Sequence, residues 1–125
     1  MAGQIDDTYV AKVLELITSS PTAAELDELL EAYATIGWYS AETQGMAESA
    51  ESVRKYAEAE ALLNKRNEDI KTPMVALEAW ATVKTFDLKR EENKRKANAK
   101  KMYNLYQAVE QCINGVKFLG RSVGV

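Results

Sequence analysis

Histidine is absent from this 125-residue chain. That removes Ser-His-Asp triads, Cys-His nucleophile pairs and the usual His-containing zinc sites. Cysteine occurs once, at Cys112, so no internal disulfide can form, which fits a reducing compartment. The lone thiol sits beside Ile113 and reads as a small packing residue. With two prolines and six glycines there is little loop-forming material, and no alternating β-branched run appears. The apolar runs are only a few residues long, against the roughly 20 needed to span a bilayer. The opening stretch MAGQIDDTY carries acids where a secretory signal carries Lys/Arg and an apolar run, so a cytoplasmic location is expected. The remaining carboxylates single out no acid/base pair. The expectation is a non-enzyme without cofactor or metal.

What is present is helix-forming residue and charge. Hydrophobic residues make up 46% and charged ones 28%, with many Ala, Glu, Lys and Leu, which predicts one all-α domain over 1–125. Asp6 and Asp7 open a short helix over 6–18 that carries Tyr9, Val10, Val13, Leu14 and Ile17 at helical spacing. Ser19, Ser20 and Pro21 end it. Thr22 and Glu25 then form a capping-box pattern for a long helix over 23–66, with Gly37 and Gly45 its weak points. Its seam is traced through Leu26, Leu30, Tyr33, Gly37, Ser40, Gln44, Ala47, Ala50, Ala57 and Ala61. Small residues dominate the second half, so further burial from neighbouring copies is expected.

The stretch 64–72 reads as the long connection, with Thr72 as cap and Pro73 as first residue of a second long helix over 73–119, a break near 85 being allowed. Met74, Leu77, Trp80 and Ala81 recur helically, and Trp80 is expected in the core. Gly120 is expected to stop the helix, and SVGV to be a loose end. The predicted architecture is two long antiparallel helices plus a short N-terminal one, as a homo-oligomer. Tyr106, Val109, Ile113 and Val116, with Met102, make the strongest apolar stripe and the expected oligomer interface.

Charge is unevenly placed. Residues 1–60 hold twelve Asp/Glu and three Lys/Arg, whereas KTFDLKREENKRKANAKK (84–101) holds eight Lys/Arg and three acids. At about 100° per residue, Lys89, Lys96 and Lys100 share one direction, and Arg90, Lys94 and Lys101 lie roughly 100 to 140° away, all opposite the apolar stripe. With Arg95 these cations are the candidate nucleic-acid contacts, because each neutralised phosphate releases condensed counterions. The plainer reading is a solvated face. Phe86, at the entrance to the run, is expected to be buried against the acidic helix, with stacking on an unpaired base as its other role; Tyr103 is a second such aromatic.

Two segments carry a resemblance. The Ala- and Glu-rich helix ending AEAEALLNKR and the closing YNLYQAVEQCINGVKFLGR, after a short polar break, resemble the UvsY-like recombination mediators of phages over roughly residues 33–121. The resemblance implies an all-helical ring or barrel that binds single-stranded DNA without strong sequence preference. It also implies that the protein helps a recombinase displace a single-strand-binding protein. The first long helix departs from the pattern, with Glu58 and Glu60 where cations would help and only Arg54, Lys55, Lys65 and Arg66 nearby. The DNA contact is therefore expected mainly on 89–101. The alternative function is a structural or assembly protein, a scaffold or virion component, acting through helix–helix contacts.

Overall fold

The computed structural model describes the backbone of residues 5–123 and side chains of residues 5–118. It is all-α, with no strand among the described residues. The elements are α1 (Asp7–Thr18), a single 3-10 turn (Ala23–Glu25), α2 (Leu26–Glu68), α3 (Met74–Lys84) and α4 (Phe86–Val123). No helix among the described residues is long and apolar enough to cross a membrane.

Local chemistry sets the boundaries. Asp6 caps α1, its Oδ1 accepting from the backbone N–H groups of Thr8 (2.9 Å) and Tyr9 (3.4 Å). Ser20 takes a left-handed conformation (φ 56°) directly before Pro21, which reverses the chain after α1. Glu25 accepts from the Thr22 N–H, half of the reciprocal box that starts the next helix.

The stretch 64–72 is mostly helix. Helix α2 continues to Glu68 because Lys65 and Arg66 sit in its last turn, where cations favour the carbonyl end. Arg66 Nη1 also donates to the Ile70 carbonyl (2.8 Å), and Asp69 Oδ1 accepts from the Lys71 N–H (3.0 Å). The connection is only 69–73. Pro73, not Thr72, occupies the N-cap position of α3.

Thr85 separates α3 from α4 and serves both. Its N–H and Oγ1 donate to the Ala81 carbonyl at 3.0 and 2.8 Å, while its own carbonyl accepts from the Lys89 N–H at 3.0 Å. At the other end, α4 passes through Gly120 to Val123. Glycine is only about 1 kcal/mol poorer than alanine in a helix, so it permits a stop without imposing one.

The chain forms two compact units: residues up to 43 with those from 99 onward, and Gln44–Asn98. The first has an apolar core from three helices: Val10 and Val13 of α1, Leu29, Ala32, Ile36 and Tyr39 of α2, and Met102, Leu105, Val109, Ile113 and Val116 of α4. Full burial of such side chains is worth about 1.5–3 kcal/mol each. In this unit α2 and α4 run antiparallel. Tyr33 stacks on Tyr106 (4.7 Å between centroids), and its hydroxyl donates to Glu110 Oε2 one turn further along α4 (3.2 Å).

Two expectations are corrected here. In its first half the α2 seam lies one residue from the traced series, at Leu29, Ala32, Ile36, Tyr39 and Thr43, with Leu30 and Gln44 exposed, whereas Ala47 and Ala61 of the traced series are buried. Because α1 covers a second side of α2, the apolar arc is wider than a two-helix seam, and Leu26 and Tyr33 lie on its margin. The expected oligomer interface is internal. Val109, Ile113 and Val116 are 0%, 5% and 7% exposed within their own chain, and half-buried Tyr106 is stacked on Tyr33, so this stripe packs within the chain. Cys112 is half-buried beside this core, and burial, then the nearby Glu25 charge, pushes its thiol pKa up. That is the behaviour of a packing residue.

Candidate nucleic-acid interface

In the Gln44–Asn98 unit the C-terminal part of α2, all of α3 and the start of α4 pack around small side chains, Ala47, Ala61, Ala81 and Thr85, with Leu77 the one large apolar residue almost wholly enclosed. Beside them lies a buried carboxylate. Glu92 is 0% exposed. Its Oε1 accepts from Arg54 Nε at 2.6 Å, and its Oε2 receives Lys96 Nζ at 2.7 Å, Lys89 Nζ at 3.3 Å and Arg54 Nη2 at 3.4 Å.

Three cations on one carboxylate decide its charge state. The Arg54 hydrogen bond, followed by that of Lys96, holds the Glu92 carboxyl down at about 2, against a burial effect of the opposite sign. In return Glu92, then Glu58 at 2.7 Å, raises the Arg54 guanidinium pKa, and Glu92 raises that of Lys96. Lys96 also reaches Glu51 of α2 at 3.5 Å. The pairs Arg54–Glu92 and Glu51–Lys96 step in opposite senses along the two helices, so α2 and α4 are antiparallel here also. No buried side-chain polar atom lacks a partner among the described residues.

This network sorts the expected nucleic-acid contacts. Lys89 and Lys96 are committed to Glu92, although about half of each side chain remains exposed. Arg95 pairs with Glu91 (2.8 Å) and donates to Met46 Sδ (3.8 Å). Arg90 and Lys94 are exposed and lack an ion-pair partner within 4.0 Å among the described residues. The same holds for Lys100 and Lys101, which belong to the other unit. Phe86 is 57% exposed and the Arg90 guanidinium lies over its ring at 5.9 Å, which corrects the expectation of burial against α2. One turn of α4 thus presents a ring and a cation together.

Positive surface therefore survives the ion pairing. Gln44–Asn98 holds eleven Lys/Arg and ten Asp/Glu; the remaining residues hold five and nine. The acidity of the chain is concentrated away from this unit.

A groove of about 550 Å³ opens in the same unit between α2, α3 and the first turn of α4. Val53, Tyr56, Trp80 and Leu88 line it, with Lys84 and Glu60 also contributing. Trp80, expected in the core, is half-buried, with Lys65 Nζ 5.4 Å and Lys84 Nζ 5.7 Å from its ring centroid. Tyr103 is half exposed and its hydroxyl accepts from Gln107 Nε2 (3.1 Å). No cluster of metal-ligating side chains occurs among the described residues.

Sequence reasoning missed the pairing of Arg54 with a buried Glu92, and the groove. A signal for Glu92 existed: on the helical wheel it falls between Ala99 and Thr85, roughly 60° from Lys89 and midway between Lys96 and the Leu88 edge of the apolar arc. Both flanking residues are buried.

No protein family, no curated protein and no solved structure matches the chain.

Proposed function

We propose that this chain is a non-catalytic protein that binds single-stranded DNA through the start of α4 and acts as an accessory to recombination. The observation that carries the binding reading is the exposed set Phe86, Arg90 and Lys94, an aromatic ring and two cations with no carboxylate partner among the described residues. Cations of this kind neutralise phosphates, and a ring beside them stacks on a base without regard to its identity. The mediator role, with a recombinase and a single-strand-binding protein as partners and a homo-oligomeric assembly, rests on the resemblance to UvsY-like proteins alone.

The test is a salt titration of binding to a labelled oligothymidylate. Affinity is expected to fall linearly in log salt, and Arg90→Glu with Lys94→Glu to weaken binding and flatten the slope. These positions are preferable to Lys96, whose reversal also removes a partner of Glu92. Absence of binding at low salt rejects the proposal.

A second reading, a structural protein working through helix–helix contacts, has its own support in Val53, Tyr56 and Leu63 of α2 and Met74, Val75 and Val83 of α3, all more than half exposed. Solution mass with and without oligonucleotide separates the two. Self-association without any oligonucleotide affinity favours the second.

A further inference from the structure

The groove beside α3 is a second place where the Gln44–Asn98 unit offers an aromatic ring and cations together. Tyr56 lines it yet is 73% exposed. A ring so uncovered on a helix otherwise rich in Ala and Glu contributes little to the fold. Its surroundings are apolar, from Val53, Ala57 and Leu88, while Lys84 also lines the groove and, with Lys65 from outside the lining, lies over the Trp80 ring. Lys65 is paired with Glu68 at 3.6 Å, whereas Lys84 has no ion-pair partner within 4.0 Å among the described residues, and Glu60 is the carboxylate that lines the groove. An occupant that satisfies this set brings a flat apolar face and negative charge. An unpaired nucleotide has both.

The geometry points to this groove as a base-binding slot for single-stranded DNA, with Tyr56 as the stacking platform and Lys84 on a flanking phosphate. This deepens the proposed function and rests on it. It adds a second contact, besides Phe86, that reads the presence of a base, whereas Arg90 and Lys94 respond to phosphate alone. Asn64, which also lines the groove, supplies an amide within the same space for a base edge.

The experiment compares the full chain's affinity for a labelled oligothymidylate and for an abasic sugar-phosphate oligomer of equal length. Stacking of one base predicts about 5- to 150-fold tighter binding of the thymidylate. In a Phe86→Ala background, which removes the other exposed ring offered for stacking, Tyr56→Ala should bring that ratio close to one while leaving affinity for the abasic oligomer unchanged, and Tyr56→Phe should retain the ratio. In a Trp38→Phe background Trp80 is the sole tryptophan, and its emission should respond to the thymidylate and not to the abasic oligomer. Equal affinity of the unaltered protein for both oligomers overturns the slot but leaves phosphate binding standing. A ratio untouched by Tyr56→Ala also overturns the slot, and so does a self-associated protein that Tyr56→Ala makes monomeric, since the groove then holds a second copy. Failure to bind either oligomer overturns the slot and the proposed function together.

Discussion

Gly37 and Gly115 lie within helices of the same unit, and replacing each by alanine measures how closely Tyr106 is held against α2. In a helix interior the change from glycine to alanine gains about 0.8–1.0 kcal/mol from backbone entropy and helix propensity. At Gly115 an added Cβ meets nothing within 4 Å, so the whole gain should appear. At Gly37 the same atom would lie 2.7 Å from Tyr106 Cε1 and 3.3 Å from its Cδ1. That ring cannot simply swing away, because it is stacked on Tyr33 at 4.7 Å with 14° between planes. Overpacking of this kind costs about 1–3 kcal/mol. The two effects leave Gly37→Ala between neutral and about 2 kcal/mol destabilising, and place the two variants about 1–3 kcal/mol apart. Urea unfolding followed by far-UV circular dichroism resolves this, since a slope of about 1–3 kcal/mol per molar urea converts 1 kcal/mol into a midpoint shift of several tenths molar or more. In a Tyr106→Ala background the helix-propensity gain at Gly37 should return, a coupling read by the double-mutant cycle. If Gly37→Ala stabilises as much as Gly115→Ala, the close approach of ring to helix is wrong.

Other outcomes follow from the two units. Ile36→Ala, at a fully buried position of the α2 seam, should cost about 2–5 kcal/mol in the same unfolding assay. Because the folded Glu92 carboxyl is held below its ordinary value, its contribution to stability is present above the usual carboxylate range near 4.5 and is lost as pH falls toward about 2. Glu51, lowered by Lys55 and Lys96, acts in the same direction. Glu92→Gln should flatten the loss of stability across that interval, measured by urea unfolding at several pH values. Arg54→Gln should shift the interval upward, because it removes the largest of the effects that keep Glu92 ionised. In oligonucleotide titrations, Arg90→Gln with Lys94→Gln should reduce the salt slope by about 1.4, at roughly 0.7 per single-strand phosphate contact; Lys89→Gln, already facing Glu92, should reduce it by less.

The helices were legible because their signals are local: Asp6, the Thr22–Glu25 box and the absence of internal proline each act within a turn or two. The exact seam of α2 was not, since Leu26, Leu30 and Tyr33 form an apolar series as convincing as Leu29, Ala32 and Ile36. Only the placement of α1 chooses between them. The Met102–Val116 stripe was readable as apolar, but periodicity cannot say whether its partner belongs to the same chain. In the candidate interface, the basic run could be counted, yet which cations remain available depends on contacts 38 to 49 residues away, such as Arg54 with Glu92 and Arg95 with Met46. Phe86 among charges gave no local indication of exposure, because a lone ring has no periodicity.

The two units stabilise themselves by different means, and the difference bears on function. One is closed by aliphatic and aromatic side chains and has little reason to touch a polyanion, with nine acids against five cations. The other is short of large apolar residues and places an ionised carboxylate at a buried position, where a well-packed hydrophobic residue of similar volume is often no less stabilising. What the carboxylate does that an apolar residue cannot is hold Lys89 and Lys96 at fixed positions on one side of α4. Arg90 and Lys94, roughly 100 to 140° around the helix from Lys89, are left outside that network. If the cations served only solubility, their division into held and free groups would be without consequence, and replacing either group would alter oligonucleotide binding equally. Binding through the free group requires the inequality, so comparing Lys89→Gln with Arg90→Gln in one titration decides between the two.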